Sequence, residues 1–459
     1  MSVSLLEAPA GPVKTPRDRL YGLLVTLLVV FALGYIVQVL TPLRLNGDAI
    51  AYLRMAASAA DGEGFYADMG GHHFPVGYPA VVMLLDRAGL AASWSIVAAN
   101  LLFLAVGLVA AAALLRRWPG IERRTVLIIS AAFLASFAVI KHATLPLSES
   151  AFFAALMVTL LLLSEVHSRT GWRQRGPLLA AALVFAWASW MLRSVGVVLG
   201  PAILLAVLPP IATWGAGYKA LRSRPRVAIG LAGGVLGIVA LMLWLGINSD
   251  YFDQFTDRYG RGEWSSTLRW TIMATCREWG EIFLNMPVQR LRALVPFGRD
   301  LIMIAGTVGL VAVLVGIWRH RRSFGPAEAL VITYLALLLV WPSDDARFWI
   351  PVLPLLLGYA WLAVAPLARW RLGRYVLGLY LAWFLLLGVL ALGFSTRLSL
   401  SSAEEFAATY GTGTLRPAYE AALGTRDLDG LKWPAPQAYR MIIRYGRADQ
   451  VRSAAPAGR

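Results

Sequence analysis

Asp48 stands just past the first long apolar run of the chain, with Tyr52 four residues on, while Glu149, Arg193 and Arg347 border or interrupt later apolar runs. An unpartnered charge beside or within a bilayer costs about several kcal/mol, so such residues are candidates for function by default. Arg54, Arg299, Asp344 and Asp345 occupy comparable places, with Lys141, His142, His72 and His73 near by in sequence. A carboxylate can take a proton from a hydroxyl nucleophile, and arginine forks can grip a phosphate through paired hydrogen bonds. Charges of both signs beside apolar helices suit a substrate with a lipid tail, a phosphate and a polar head. Each residue also has a plainer reading: Asp48 as a helix N-cap, Glu149 as an acid favoured by a helix dipole, Arg347 as a snorkelling anchor, Arg193 as half of a structural ion pair.

The elements that position these residues follow from composition. Of 459 residues, 58% are hydrophobic and only 15% charged, far from the roughly 25% charged usage of soluble domains. The chain is expected to be an all-α polytopic integral membrane protein. Its net charge of +16 would suggest nucleic acid in a soluble protein, but the charge is placed otherwise. Apolar runs of spanning length occur at Leu20–Leu40, Ser93–Leu115, Thr125–Ile140, Ser148–Ser164, Pro177–Met191, Val195–Ile211, Val227–Ile247, Leu301–Trp318, Ala327–Trp341, Ile350–Leu367 and Tyr375–Phe394. That predicts about eleven spans.

Every second connection is short and basic, including Arg116/Arg117/Arg123/Arg124, Arg169/Arg173/Arg175 and Arg319/Arg321/Arg322. By the positive-inside rule these connections face the cytoplasm. Residues 1–19 are then a cytoplasmic N-terminus, residues 20–394 a transmembrane part with outer loops at 41–92 and 248–300, and residues 395–459 a small extracytoplasmic tail. The candidate residues gather at the outer face. The single Cys276 excludes an intramolecular disulfide and a thiolate metal cluster.

Within 41–92, a short helix over Asp48–Ala60, a Gly-rich turn and a second short helix ending at Asp86-Arg87 are expected to lie along the membrane surface. In the 248–300 segment, Leu268, Ile272, Cys276, Trp279 and Phe283 form one helical stripe, read as a packing face. The tail is too short for a substantial core of its own. His72 and His73 are adjacent and share no helical face, so no metal site is expected from spacing. The chain has no Walker sequence, no G-x-G-x-x-G after a strand and no H-E-x-x-H, which argues against ATP-driven transport, dinucleotide chemistry and zinc proteolysis.

Asp48 with Tyr52, an Ala-rich short helix, the Gly-rich turn and Pro75-Val76-Gly77-Tyr78-Pro79 together resemble the first periplasmic loop of membrane glycosyltransferases of the GT-C type. These include protein O-mannosyltransferases and the enzymes that add aminoarabinose to lipid A. Leu145-Pro146-Leu147-Ser148-Glu149-Ser150 is similar to the segment before their fourth helix, and Arg347-Phe348-Trp349-Ile350-Pro351-Val352-Leu353-Pro354 to their late Arg-aromatic-x-x-Pro-x-x-Pro element. The resemblance implies transfer of a sugar from a polyprenyl-phosphate carrier to a glycan, glycolipid or protein acceptor, in a bacterial-type inner membrane. It makes Asp48 the catalytic base; resemblance and placement at the outer face together make Glu149, Arg193, Arg347, Tyr52, Arg54, Arg299, His73 and Tyr78 the substrate-binding candidates. In one departure, many members carry a second acid directly after the catalytic aspartate, where this chain has Ala49; the acceptor class and a divalent metal stay open. No cofactor and no nucleic-acid partner are expected, and membrane lipids surround the chain. Rival readings are a carrier or flippase for a lipid-linked glycan, which would need no base, and a glycan polymerase or ligase.

Overall fold

The first apolar run, with no charge between Tyr21 and Leu40, forms a helix because nothing interrupts its hydrogen-bond ladder before Thr41-Pro42. The computed structural model describes residues 16–66, 74–169, 171–207, 256, 259–260, 264–341, 344–411, 413–427 and 429–451. All regular structure among them is helical. Helix α1 (Pro16–Val37) continues into a 3-10 turn and is followed by α2 (Gly47–Ala60), α3 (Gly77–Arg87), α4 (Ser93–Leu115), α5 (Arg123–Ala135), α6 (Phe137–Ala143), α7 (Glu149–Ser168), α8 (Trp172–Leu192) and α9 (Leu199–Val207). Further on come α10 (Trp264–Leu284), α11 (Val288–Leu294), α12 (Gly298–His320), α13 (Pro326–Val340), α14 (Leu353–Val364), α15 (Arg371–Leu400), α16 (Ala403–Tyr410), α17 (Arg416–Ala422) and α18 (Ala435–Tyr445).

Seven helices among the described residues are long and apolar enough to cross a bilayer, and the pair α5/α6, bent by 58°, would make an eighth. The chain is an integral membrane protein. Of the remaining expected spans, Ala327–Trp341 is the shorter α13. Val195–Ile211 starts as a 3-10 turn at Ser194–Val198 before α9, because Arg193 leaves the helix with extended backbone (φ −152°). Val227–Ile247 lies outside the described residues.

The break between α5 and α6 exposes backbone groups that a bilayer could not solvate. Asn285, in the left-handed region at φ 55°, satisfies them from another part of the chain. Its amide donates to the carbonyls of Ala135 and Phe384, both at 2.9 Å, and its oxygen accepts from the Phe137 N–H at 2.7 Å. Helices α10 and α12 approach so closely that a methyl at Gly306 would overlap the Cys276 carbonyl. This contact buries Cys276 and Trp279 of the α10 stripe, whereas Leu268 and Ile272, further toward the helix start, are exposed. At the end of the bundle bearing the Arg321-Arg322 connection, buried Glu328 accepts from His320 at 2.8 Å and Tyr359 at 2.7 Å.

The core is one continuous cluster, from Phe31 and Tyr52 through Phe153 and Trp349 to Phe406, Tyr419, Ile442 and Tyr445. The tail thus shares the main core, and α15 runs past residue 394 to Leu400 without a break.

Candidate active site

Residues 41–46 lead into α2 and are held on every side. Buried Arg44 donates to Thr144 Oγ1 at 3.2 Å, Ser395 Oγ at 2.8 Å, the Ser395 carbonyl and Ser399 Oγ, both at 2.9 Å. Gln450 accepts from the Leu43 N–H, and the Tyr419 hydroxyl donates to the Leu43 carbonyl. With the chain so fixed, Asn46 caps α2: its Oδ1 accepts from the Ala49 N–H at 2.8 Å. Asp48 is therefore not the cap. It sits in the first turn, where the helix dipole favours an acid, and its carboxylate is free to meet other groups.

It meets Arg347, whose Nη2 lies 2.5 Å from Asp48 Oδ2. The same guanidinium places Nε 3.6 Å from Glu149 Oε1 and 3.1 Å from Asp345 Oδ2, the latter without hydrogen-bond alignment. Asp345 also accepts from the Arg347 backbone N–H at 3.0 Å, as N-cap of the 3-10 turn Ala346–Val352. Glu149, the first residue of α7, accepts from Arg193 Nη1 at 2.6 Å. The Phe348 ring lies between the two arginines, each guanidinium carbon 5.3 Å from its centre. Two guanidinium groups and three carboxylates thus form one cluster. Its side chains are buried at Glu149 (2% exposed) and open at Asp48 (38%), so the cluster faces outward through Asp48.

Tyr52, one turn after Asp48, pairs its hydroxyl with Ser148 Oγ at 3.3 Å and ties α2 to the start of α7. Tyr78 is buried beneath it, edge-on to the Tyr52 ring, and donates to Asn100 at 3.1 Å. Gly77 is required where α3 meets the Met191 backbone, since a Cβ there would lie 2.6 Å from that carbonyl. Arg54 is half-buried further along α2, and Arg299 is exposed at the start of α12. His142 is buried, Lys141 exposed, and His72 and His73 lie outside the described residues.

The two adjacent aspartates divide: Asp345 joins the cluster, whereas Asp344 pairs with Arg277 of α10. The neighbouring Glu278, overlooked in the sequence, is buried and accepts from Trp349 Nε1 at 2.7 Å. Burial pushes its carboxyl up to about 7, against the opposing pull of the Trp349 hydrogen bond. A carboxyl raised on folding stabilises fully below its unfolded value near 4.5 and loses that contribution as pH rises through about 7. Thermal stability of the purified protein should therefore decline between pH 5 and 8 by on the order of a few kcal/mol, and Glu278→Gln should flatten the decline. An undiminished slope in that variant would remove Glu278 as its source.

Arg444 of α18 ties the end of α2 to the end of α3. It donates twice to Asp61, at 2.7 and 2.8 Å, and to Asp86 at 2.8 Å. These bonds hold the Asp61 carboxyl below its usual range.

Among the described residues, no group of three His, Cys, Asp or Glu side chains is set to hold a metal ion. Asp48, Glu149 and Asp345 instead share the Arg347 guanidinium.

No protein-family model matches the chain, and no curated protein sequence matches it significantly. Among solved structures, the chain is similar to ArnT from Cupriavidus metallidurans bound to undecaprenyl phosphate, at 14% identity and a TM-score of 0.51, over 94% of this chain and 87% of that one. The fold is GT-C-like. The apo state of the same ArnT matches at 0.49 with 14% identity and the same coverage. AglB from Archaeoglobus fulgidus, in complex with an inhibitory peptide and a dolichol-phosphate, matches at 0.46 with 13% identity, over 90% of this chain and 60% of that chain. Within this GT-C-like fold, the three stretches of sequence that carried the resemblance converge on one cluster through Asp48, Glu149 and Arg347.

Proposed function

We propose that the chain is an inverting glycosyltransferase that takes a sugar from a polyprenyl-phosphate carrier and passes it to an acceptor hydroxyl at the extracytoplasmic face. The observation that carries this reading is an aspartate relieved of capping, half-exposed and paired with Arg347, which shares buried Glu149 with Arg193. Undecaprenyl phosphate in the similar ArnT structure supports a carrier of this class. Asp48 removes the proton of the acceptor hydroxyl, and its oxygen attacks the anomeric carbon from the face opposite the phosphate. The bond from that carbon to the phosphate oxygen breaks, the electron pair leaves on polyprenyl phosphate, and the configuration inverts. Arg347 and Arg193 stabilise the departing anion electrostatically.

The reading places residues 1–19 inside, the catalytic part over 20–394 and the tail outside. The Arg347 fork grips phosphate through two bonds, which a lysine ammonium cannot reproduce. Arg347→Lys should raise the donor KM about tenfold, the worth of one lost charge-assisted bond, while Arg173→Lys in a basic connection leaves it unchanged. Unaltered donor KM in Arg347→Lys and Arg193→Lys would put the phosphate site elsewhere.

A further inference from the structure

Arg347 is engaged by more carboxylates than it can keep when an anion arrives. Asp48, Glu149 and Asp345 lie within 3.6 Å of its guanidinium nitrogens, and the second arginine is committed to Glu149. Three carboxylates crowd one guanidinium, so a phosphate that takes a place on Arg347 must displace a carboxylate from it. The three are not equally easy to displace. Glu149 has a side chain only 2% exposed and stands between both arginines, where a shift would strand buried charge. Asp345 caps the 3-10 turn that carries Arg347 and is fixed by that backbone bond. Asp48 has no backbone duty, because Asn46 caps α2, and its side chain is 38% exposed. It can turn outward at little cost.

We propose that the carrier phosphate and Asp48 compete for the same face of Arg347, so that donor binding itself uncovers the base. The inference rests on the glycosyltransferase reading. A phosphate oxygen that takes the place of Asp48 Oδ2 exchanges one charge-assisted bond for another. The displaced carboxylate then has both oxygens available for the acceptor hydroxyl, beside the anomeric carbon that the phosphate has brought in. Donor must bind before acceptor is activated. After transfer, Asp48 carries the acceptor's proton and cannot reclaim Arg347 until it has lost that proton to solvent. Release of the product polyprenyl phosphate is thereby tied to proton release.

The test is equilibrium binding of farnesyl phosphate to the full chain in lipid nanodiscs, for the wild type, Asp48→Asn and Asp345→Asn. Asn ranks with Asp as a cap, so Asp345→Asn removes a charge while keeping the turn. Exchange predicts that Asp48→Asn binds about tenfold more tightly than the wild type, one competing charge-assisted bond having been removed. It also predicts that Asp345→Asn gains clearly less. Asp48→Ser, which removes the carboxylate by another route, should bind as tightly as Asp48→Asn and serves if that variant folds poorly. Equal or weaker binding in the Asp48 variants, or an equal gain in Asp345→Asn, overturns the exchange and leaves Asp48 as the base. Undiminished sugar transfer by Asp48→Asn overturns the base assignment, and this inference with it.

Discussion

Asp48→Asn should lower sugar transfer in isolated membranes by at least ~100-fold, the lower range for loss of a positioned general base, with little change in melting temperature. Asn keeps the shape of the side chain but cannot take a proton from a hydroxyl. The structure removes the main structural reason for a stability loss, since the α2 cap is Asn46 and the carboxylate is half-exposed. Arg347 keeps Glu149 and Asp345 beside it, so no guanidinium is stranded and the loss is limited to one charge-assisted bond, about 1.5 kcal/mol. Activity and stability therefore separate in this variant. Near-normal transfer would reduce Asp48 to a partner of Arg347 and direct the search for a base to Asp345 and Glu149.

Glu149→Ala should have the largest effect on stability. Its carboxylate is the buried counter-charge of Arg193 and lies 3.6 Å from the Arg347 Nε. Its removal takes away the buried counter-charge that Arg193 meets at 2.6 Å, and breaking a buried pair from one side costs about 3–5 kcal/mol. The variant should show a sharply lower melting temperature and reduced yield of folded protein. Glu149→Gln, which retains an acceptor for Arg193 but no charge, should fall between the two. A change below about 1 kcal/mol in Glu149→Ala, the range of an exposed pair, would mean that the arginines find other partners.

The cluster was legible in the sequence because charge is conspicuous against apolar runs. Asp48, Glu149, Arg193 and Arg347 each stand where a spanning segment begins, ends or breaks, and a buried charge needs a partner. What spacing could not supply was the pairing. Asp344 and Asp345 are neighbours, yet one goes to Arg277 and the other to Arg347, a choice made by the turn that Asp345 caps. Glu278 escaped notice because it lies beside Trp279 on a helix read for its apolar stripe; its signal was the Trp349 indole, a donor that needs an acceptor when buried. Arg44 escaped because its partners are hydroxyls and a carbonyl, without an acid among them. The span count was less legible, since hydropathy registers length and cannot see the 3-10 turn after Arg193 or the bend at Ser136.

That bend has a consequence for the order in which the protein can be made. Among the described residues, the polar gap between Ala135 and Phe137 is closed by Asn285, which the ribosome supplies 148 residues after Phe137. A nascent chain that has delivered the first helices to the membrane carries a span it cannot yet finish from its own sequence. The first half must wait near the insertion machinery, or beside water, until the second half arrives, and the site around Asp48 reaches its final form late in synthesis.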